Sequence, residues 1–211
     1  MSDPSSDSVA LDGRALGRRG TETRQRLLDA TATLLEDNGL RELRVADIAR
    51  AVQVSPATFY QYFRDVEAAV LALSARVGEE TASLTGLLAE DWDGPDGLDR
   101  ARRLVEEFIA NWDQHRAVLR TRNLAAQEGD DRFRAVRNDA LRPLTEGIAA
   151  KVAARTETGL APYAAAAAMV SMLERMAAFH TDLTAYGTSR AEVVETSARI
   201  LHHTATGSTV R

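Results

Sequence analysis

The segment Val45–Phe63, with the sequence VADIARAVQVSPATFYQYF, predicts two short helices joined by a tight turn. In its first half, apolar residues recur at the spacing of one helical face: Val45, Ile48, Ala49 and Val52. In its second half, Ser55 is a favourable N-cap and Pro56 occupies the first helical position, where no amide donor is lost. The segment therefore predicts a helix, a turn and a second helix.

The second helix has two faces of different character. Phe59 and Phe63 are spaced to point inward together. The remaining positions carry small, hydroxyl, phenol or amide side chains: Ala57, Thr58, Tyr60, Gln61 and Tyr62. Such a face suits the major groove of DNA. An ordinary helical hairpin with aromatic core residues is the alternative, because periodicity fixes a packing face but no partner.

A longer stretch, residues 24–73, resembles the DNA-binding domain of the TetR family of bacterial transcription regulators. The matching residues form several groups along this stretch: Leu27-Leu28-Asp29-Ala30, Leu34-Leu35, Asn38-Gly39, Asp47-Ile48-Ala49, Val54-Ser55, Thr58 to Phe63 and Glu67-Ala68. The resemblance implies a three-helix DNA-binding domain with a helix-turn-helix, followed by a helical domain that binds a ligand and dimerises.

Three positions depart from the family pattern. Gln53 stands in the turn where the family usually has Gly, and Val66 where it often has Lys. Arg44 stands where a Thr hydroxyl often meets a phosphate, so Arg44 or Arg64 is expected to replace that anchor. The predicted DNA-contacting residues are Arg44, Ser55, Ala57, Thr58, Tyr60, Gln61, Tyr62 and Arg64.

Composition constrains the function less than the motif does. The chain has 211 residues, a formal net charge of −5 and no cysteine, which excludes thiol chemistry and favours a cytoplasmic location. No apolar run is long enough to cross a bilayer. Because the net charge is negative, the DNA-binding prediction rests on the motif and on local arginines near the N-terminus.

The predicted fold class is all-α, with about nine helices. The helices expected from periodicity, caps and breaks span residues 21–38, 45–52, 55–63, 66–90, 98–114, 115–127, 130–155, 163–186 and 189–203. The predicted domains are a disordered N-terminal arm at 1–20, a helix-turn-helix domain at 21–66, a ligand-binding and dimerisation domain at 67–205, and a tail at 206–211.

A dimer is expected because one recognition helix buries too little surface to be selective. The resemblance implies that the last two helices of each subunit form a four-helix bundle. The candidate interface residues lie on these helices: Ala167, Met169, Val194, Ala198 and Leu201. Burial of the alanine-rich helix inside one subunit is the alternative.

The middle helices are expected to enclose a ligand cavity. Candidate lining residues are aromatic, sulfur-containing or hydrogen-bonding: Phe108, Asn111, Trp112, Arg122, Phe133, Met172, Arg175, Met176 and Phe179. An apolar, aromatic pocket would take a small hydrophobic effector, and an arginine would suit a carboxylate or phosphate on it. Each of these residues would equally serve as ordinary core or surface.

No arrangement of residues predicts catalysis, a metal site or a cofactor. His202 and His203 are adjacent, so they face apart on a helix, and His180 is expected to be a hydrogen-bonded core residue. Asp91 and Asp93, which flank Trp92, are expected to be solvated turn residues.

The leading hypothesis is a dimeric, ligand-responsive repressor that binds a palindromic double-stranded DNA operator. The alternatives are a helical protein-interaction module, a DNA binder without ligand regulation, and a helical enzyme with the central cavity as its active site.

Overall fold

The computed structural model describes residues 15–155 and 159–207. Ten α-helices occupy this part of the chain and no β-strand does, which confirms the all-α prediction. They are α1 (Arg18–Asp37), α2 (Val45–Val52), α3 (Pro56–Phe59), α4 (Val66–Ser83), α5 (Gly86–Ala89), α6 (Gly97–Gln114), α7 (Arg116–Gln127), α8 (Asp131–Ala153), α9 (Pro162–Phe179) and α10 (Arg190–Thr206).

The first helix begins three residues before the predicted start. Gly17 is its N-cap, and the Thr21 hydroxyl donates back to the Gly17 carbonyl instead of capping an amide. The predicted arm at 1–20 is therefore helical from Arg18, and its residues 1–14 lie outside the described part. At the other end α10 runs to Thr206 and is closed by Gly207 in a left-handed conformation, so the predicted tail begins later than expected.

The predicted helix at 66–90 is two helices. Between α4 and α5, the Leu84 and Thr85 amides bond to carbonyls three residues back, at Thr81 and Ala82. The Thr85 hydroxyl also donates to the Ala82 carbonyl, which competes with the regular helical ladder. The predicted helix at 163–186 also divides, into α9 and a short 3₁₀ helix at Asp182–Tyr186.

The chain forms two compact units that are not contiguous in sequence. The first comprises Met1–Arg76 and Ala117–Val136, and the second comprises Val77–Arg116 and Arg137–Arg211. This division differs from the boundary expected at residue 66, because the start of α4, α7 and the start of α8 group with the helix-turn-helix.

Within the first unit, one ion pair joins α8 to α4, and another joins the loop before α2 to the residue after α7. Arg132 of α8 lies 2.6 Å from Glu67 of α4, and Arg41 lies 3.0 Å from Glu128. Arg132 also bonds Asp130 at the start of α8, and this contact lowers the pKa of Asp130 to about 2. The apolar centre of the unit includes Leu27, Leu28, Ile48, Phe59 and Phe133, all fully buried.

The second unit is built around α6, which packs against α9 and α10. The inward stripe of α6 is buried: Ala101, Leu104, Val105, Phe108, Ile109 and Trp112. Ser189 and Glu192 form a capping box at the start of α10, in which each side chain bonds the other residue's amide. His180 is buried and lies 2.8 Å from Asp113, so it is the hydrogen-bonded core residue that the sequence predicted.

Candidate nucleic-acid interface

A left-handed residue forms the turn between α2 and α3. Gln53 has φ 60° and ψ 42°, and its amide bonds to the carbonyls of Ala49 and Arg50. The turn therefore keeps the conformation that Gly favours, although a side chain there costs roughly 1–2 kcal/mol. The two helices thus retain the geometry of a helix-turn-helix without the usual glycine.

Ser55 and Thr58 fix the start of the second helix. The Ser55 hydroxyl accepts the Thr58 amide at 3.1 Å and also shares a hydrogen bond of 3.0 Å with the Thr58 hydroxyl. Pro56 occupies the first turn, as predicted. Regular α-helix ends at Phe59, earlier than the expected residue 63, because the Gln61 and Tyr62 amides bond to carbonyls three residues back.

Two phenylalanines anchor this segment in the core of the first unit. Phe59 is fully buried and Phe63 nearly so, with ring centroids 5.5 Å apart. The Arg24 guanidinium lies 5.1 Å from the centroid of the Phe63 ring, and Arg24 is itself buried. This inward anchoring leaves the other side of the segment toward solvent.

The predicted DNA-contacting residues lie largely on the exposed side. Tyr60 is 51% exposed, with its ring edge-on to Phe59. Thr58 and Tyr62 are partly buried. The other predicted contact residues are exposed: Arg44, Ser55, Ala57, Gln61 and Arg64. The segment thus presents hydroxyl, phenol and amide groups together on one surface.

The two candidate phosphate anchors differ in their surroundings. Arg64 lies 2.9 Å from Asp65, so its charge is partly neutralised. Arg44 forms no ion pair within residues 15–155 and 159–207. Partial burial alone would raise the pKa of Asp65, but the Ala68 amide and Arg64 outweigh burial and lower it. Asp65 therefore stays ionised beside Arg64, whereas the Arg44 guanidinium has no such carboxylate beside it among the described residues.

The arginines that crowd the N-terminal side do not all face solvent. Arg26 donates to the Val52 carbonyl at 2.7 Å and so fastens α1 to the end of α2. Arg24 is buried against Phe63. Arg18 and Arg19 are exposed and remain available for a DNA backbone. Two of these arginines thus have structural roles that composition alone did not indicate.

The predicted ligand-binding residues are distributed over both units. Arg122 and Phe133 belong to the first unit, and the other seven to the second. Phe108 and Trp112 are buried core residues of α6, and Asn111 accepts the Thr81 hydroxyl at 3.2 Å. The α9 candidates are less buried: Met172 and Met176 are half-buried, and Arg175 lies 3.7 Å from the ring centroid of the exposed Phe179.

A cavity that the sequence did not predict lies in the second unit. It has a volume of about 440 Å³, and none of the nine predicted ligand residues lines it. Its walls come from α5, α8, the end of α10 and the turn around Trp92. Trp92 is only 2% exposed, whereas Asp91 and Asp93 on either side of it are exposed, as expected.

The predicted interface residues also divide into two groups. Val194, Ala198 and Leu201 are buried within the subunit on α10, which packs against α6. Ala167 is exposed and Met169 is half-buried on α9. The periodicity correctly marked an apolar face of α10, but that face is internal.

Comparisons with known proteins place this architecture in a family. Residues 84–211 match the model of the tetracyclin repressor-like C-terminal domain, and residues 27–73 match that of the bacterial regulatory proteins of the tetR family. The chain belongs to the TetR family of bacterial transcriptional regulators.

Curated relatives and solved structures agree with this assignment. The transcriptional regulator EthR of Mycobacterium tuberculosis is 34% identical over 109 residues, which cover 51% of this chain and 50% of EthR. The chain thus spans about half the length of that relative. The EthR of Mycolicibacterium smegmatis is 30% identical over 71% of this chain and 69% of its own.

The same fold occurs in FadR of Bacillus halodurans, a fatty acid degradation regulator, with a TM-score of 0.68 and 16% identity over 89% of this chain and 96% of that one. FadR of Bacillus subtilis, solved in complex with stearoyl-CoA, has a TM-score of 0.64 and 15% identity over 88% and 99% of the two chains. Among the described residues, no helix is long and apolar enough to span a membrane.

Proposed function

We propose that this protein is a cytoplasmic, dimeric repressor that binds a palindromic operator and releases it when a small hydrophobic effector binds. The observation that carries the proposal is the exposed polar surface of the helix-turn-helix, held in place by Phe59 and Phe63. Gln61 and Tyr60 would read base edges, and Arg44 would contact a phosphate. The domain at 21–66 would bind the DNA, and the rest of the described chain would bind the effector and form the dimer.

The dimer would form through the exposed face of α9. This face carries small residues with an aromatic residue at its start: Tyr163, Ala164, Ala167, Ala168 and Ser171. Small side chains allow close approach of helices from two subunits. On α10 the exposed Ile200 would take the place of the internal residues Val194, Ala198 and Leu201. Symmetry would then place two recognition segments on two half-sites.

The proposal is tested by a gel-shift with the DNA upstream of the protein's own gene. Gln61→Ala should relax base preference, at a cost of about 1–3 kcal/mol for a lost bidentate contact. Arg44→Ala should weaken binding to all sequences alike and flatten the salt dependence.

An exposed residue away from the helix-turn-helix provides the matched control. Arg103 lies on the solvent side of α6, and Arg103→Ala should leave DNA binding unchanged. Failure of the wild-type protein to prefer any DNA over random sequence would favour the protein-interaction alternative. A catalytic role would require the protein to convert a bound compound into a product. Recovery of the intact ligand after incubation would refute that role.

A further inference from the structure

We propose that the cavity of about 440 Å³ beside Trp92 binds a small amphiphilic carboxylate, with its carboxylate on Lys151 and its hydrocarbon part on the apolar wall. The proposal that a ligand binds here is argued from the cavity and its lining residues alone. Its role as the effector site rests on the proposed function.

The cavity has the size and wall of a small-molecule site. Binding pockets for small ligands typically enclose about 300–1,000 Å³. Many of its lining side chains are small or aliphatic: Leu88, Ala89, Ala150, Ala154 and Ala205. Gly147 of α8 also lines the cavity, and a Cβ there would lie 2.6 Å from the Leu88 side chain. This wall would bury a short hydrocarbon chain.

Lys151, the only lysine of the chain, stands at the polar side of the cavity. Its Nζ donates to the Glu90 carbonyl at 2.8 Å and lies 4.8 Å from the centroid of the Trp92 ring. Neither of the two contacted groups, a backbone carbonyl and an indole ring, carries a formal negative charge. No carboxylate of the described residues forms an ion pair with Lys151, which leaves two of its three N–H donors for a ligand.

The acidic groups around the cavity already have partners. Arg155 pairs with Asp93, and Arg100 lies 2.6 Å from Glu90. The Asp91 side chain accepts the Asp93 amide at 2.9 Å. Lys151 is therefore the cation of this cluster that lacks a carboxylate of its own.

The electrostatics of Lys151 agree with this assignment. Burial lowers the pKa of Lys151, and the nearby charges of Asp93 and Asp91 offset only part of that effect. A ligand carboxylate in contact would compensate the burial and raise the pKa. A dianion would place a second negative charge near Asp91 and Asp93, so a monoanion fits better.

The sole lysine makes a direct experiment possible. Protein labelled with ¹³C at the lysine ε-carbon gives one side-chain NMR signal, and octanoate is the probe. Octanoate should shift this signal, and a pH titration of the signal should show a raised pKa for Lys151. The alcohol 1-octanol has the same chain and no charge, and it should not raise the Lys151 pKa. An unchanged Lys151 pKa at saturating octanoate would overturn the proposal.

Variants separate the ammonium from the apolar wall. By calorimetry, Lys151→Gln should weaken octanoate binding at least tenfold while Lys151→Arg retains it, and Ala150→Trp should abolish binding of both probes. Arg103→Gln, on the exposed side of α6, is the charge-loss control and should bind octanoate like the wild type. Equal affinity of wild type and Lys151→Gln for octanoate would contradict the assignment.

Operator binding is measured separately on the same proteins. A protein that binds octanoate through Lys151 but never binds DNA would refute the proposed function and leave the site intact. A protein that binds DNA but not octanoate would refute the site alone.

Discussion

Gln53 has a strained backbone conformation in the turn before the proposed DNA-contacting segment. It is the only non-glycine residue with positive φ in the described part of the chain. A left-handed side chain costs roughly 1–2 kcal/mol, whereas glycine adopts the same conformation freely. The hydrogen bonds that close the turn come from the backbone amide of Gln53 and do not involve its side chain.

We predict that Gln53→Gly stabilises the protein by about 0.5–1 kcal/mol, since relief of strain outweighs the greater entropy of the unfolded chain. Urea denaturation of both proteins measures the difference. Gln61→Gly, at a position without positive φ, is the matched control and should destabilise. A loss of stability in Gln53→Gly would show that the side chain contributes contacts that exceed the strain.

Asp113 is the centre of a polar cluster that joins the ends of α6, α7 and α9. It lies 2.8 Å from His180 and 2.7 Å from Arg116, which also donates to the Ala178 carbonyl. Partial burial alone would raise the pKa of Asp113, but the bonds from His180 and Arg116 outweigh it and lower the pKa. Its stabilising effect is therefore present above the unfolded pKa and is lost as pH falls through the folded one.

Asp113→Asn should cost about 1–3 kcal/mol at neutral pH, because it removes charge-assisted hydrogen bonds to two partners. The difference from wild type should begin to shrink as pH falls below about 4, the usual pKa of an aspartate in an unfolded chain, and should vanish once pH has fallen through the lower pKa of the folded carboxyl. Denaturant titrations at several pH values test this. Asp139→Asn, which removes an exposed i,i+3 pair with Arg142, should change stability little at any pH. A difference independent of pH would contradict the linkage.

At the scale of elements, the start of α6 is fitted closely to the turn before it. A Cβ on Gly97 would lie 1.9 Å from the Trp92 carbonyl oxygen, so the two segments touch through backbone. Trp92 donates its indole N–H to the Leu87 carbonyl, and its own carbonyl lies 2.9 Å from His202 of α10. The turn is thereby fixed between α5, α6 and α10.

Gly97→Ala should therefore destabilise the protein by about 1–3 kcal/mol, as expected for an overpacked contact with backbone. Gly86 is the matched control, because it also begins a helix but has nothing within 4 Å of an added Cβ. Gly86→Ala should be neutral or slightly stabilising. Thermal melts of the two variants compare them directly, and equal effects would contradict the close packing.

These elements also show what the sequence could predict. Ser55, Pro56 and the paired phenylalanines correctly predicted the start and the buried face of α3, because caps and periodicity are local properties. The first helix was expected to begin at residue 21, but Thr21 does not cap it, since its hydroxyl donates to the Gly17 carbonyl and the helix begins at Arg18. Helix starts with weaker local signals are thus less predictable.

Packing partners could not be predicted in the same way. Periodicity identified an apolar face on α10, but not that α6 of the same subunit covers it. The burial of Trp92 likewise depends on Gly97 and Leu87, which no periodic pattern connects to it. The cavity beside Lys151 was missed for the same reason, since its walls come from segments far apart in sequence.

At the scale of the whole molecule, the exposed face of α9 is the surface that we propose for a second copy. Ala167 is exposed there, while its neighbour Ala166 is fully buried within the subunit. A substitution at Ala167 therefore changes the outer surface without entering the core. Operator selectivity requires two recognition segments at a fixed spacing, so dimerisation and DNA binding should be lost together.

We predict that Ala167→Glu gives a folded monomer, because a carboxylate buried without a partner in a dimer interface is strongly unfavourable. Light scattering should report the halved mass, circular dichroism an unchanged helix content, and gel-shift a large loss of operator affinity. Ala110→Glu, an exposed alanine on α6, is the control and should remain dimeric and bind DNA. A dimeric Ala167→Glu protein would place the interface elsewhere, whereas a monomer with full operator affinity would show that one recognition segment suffices.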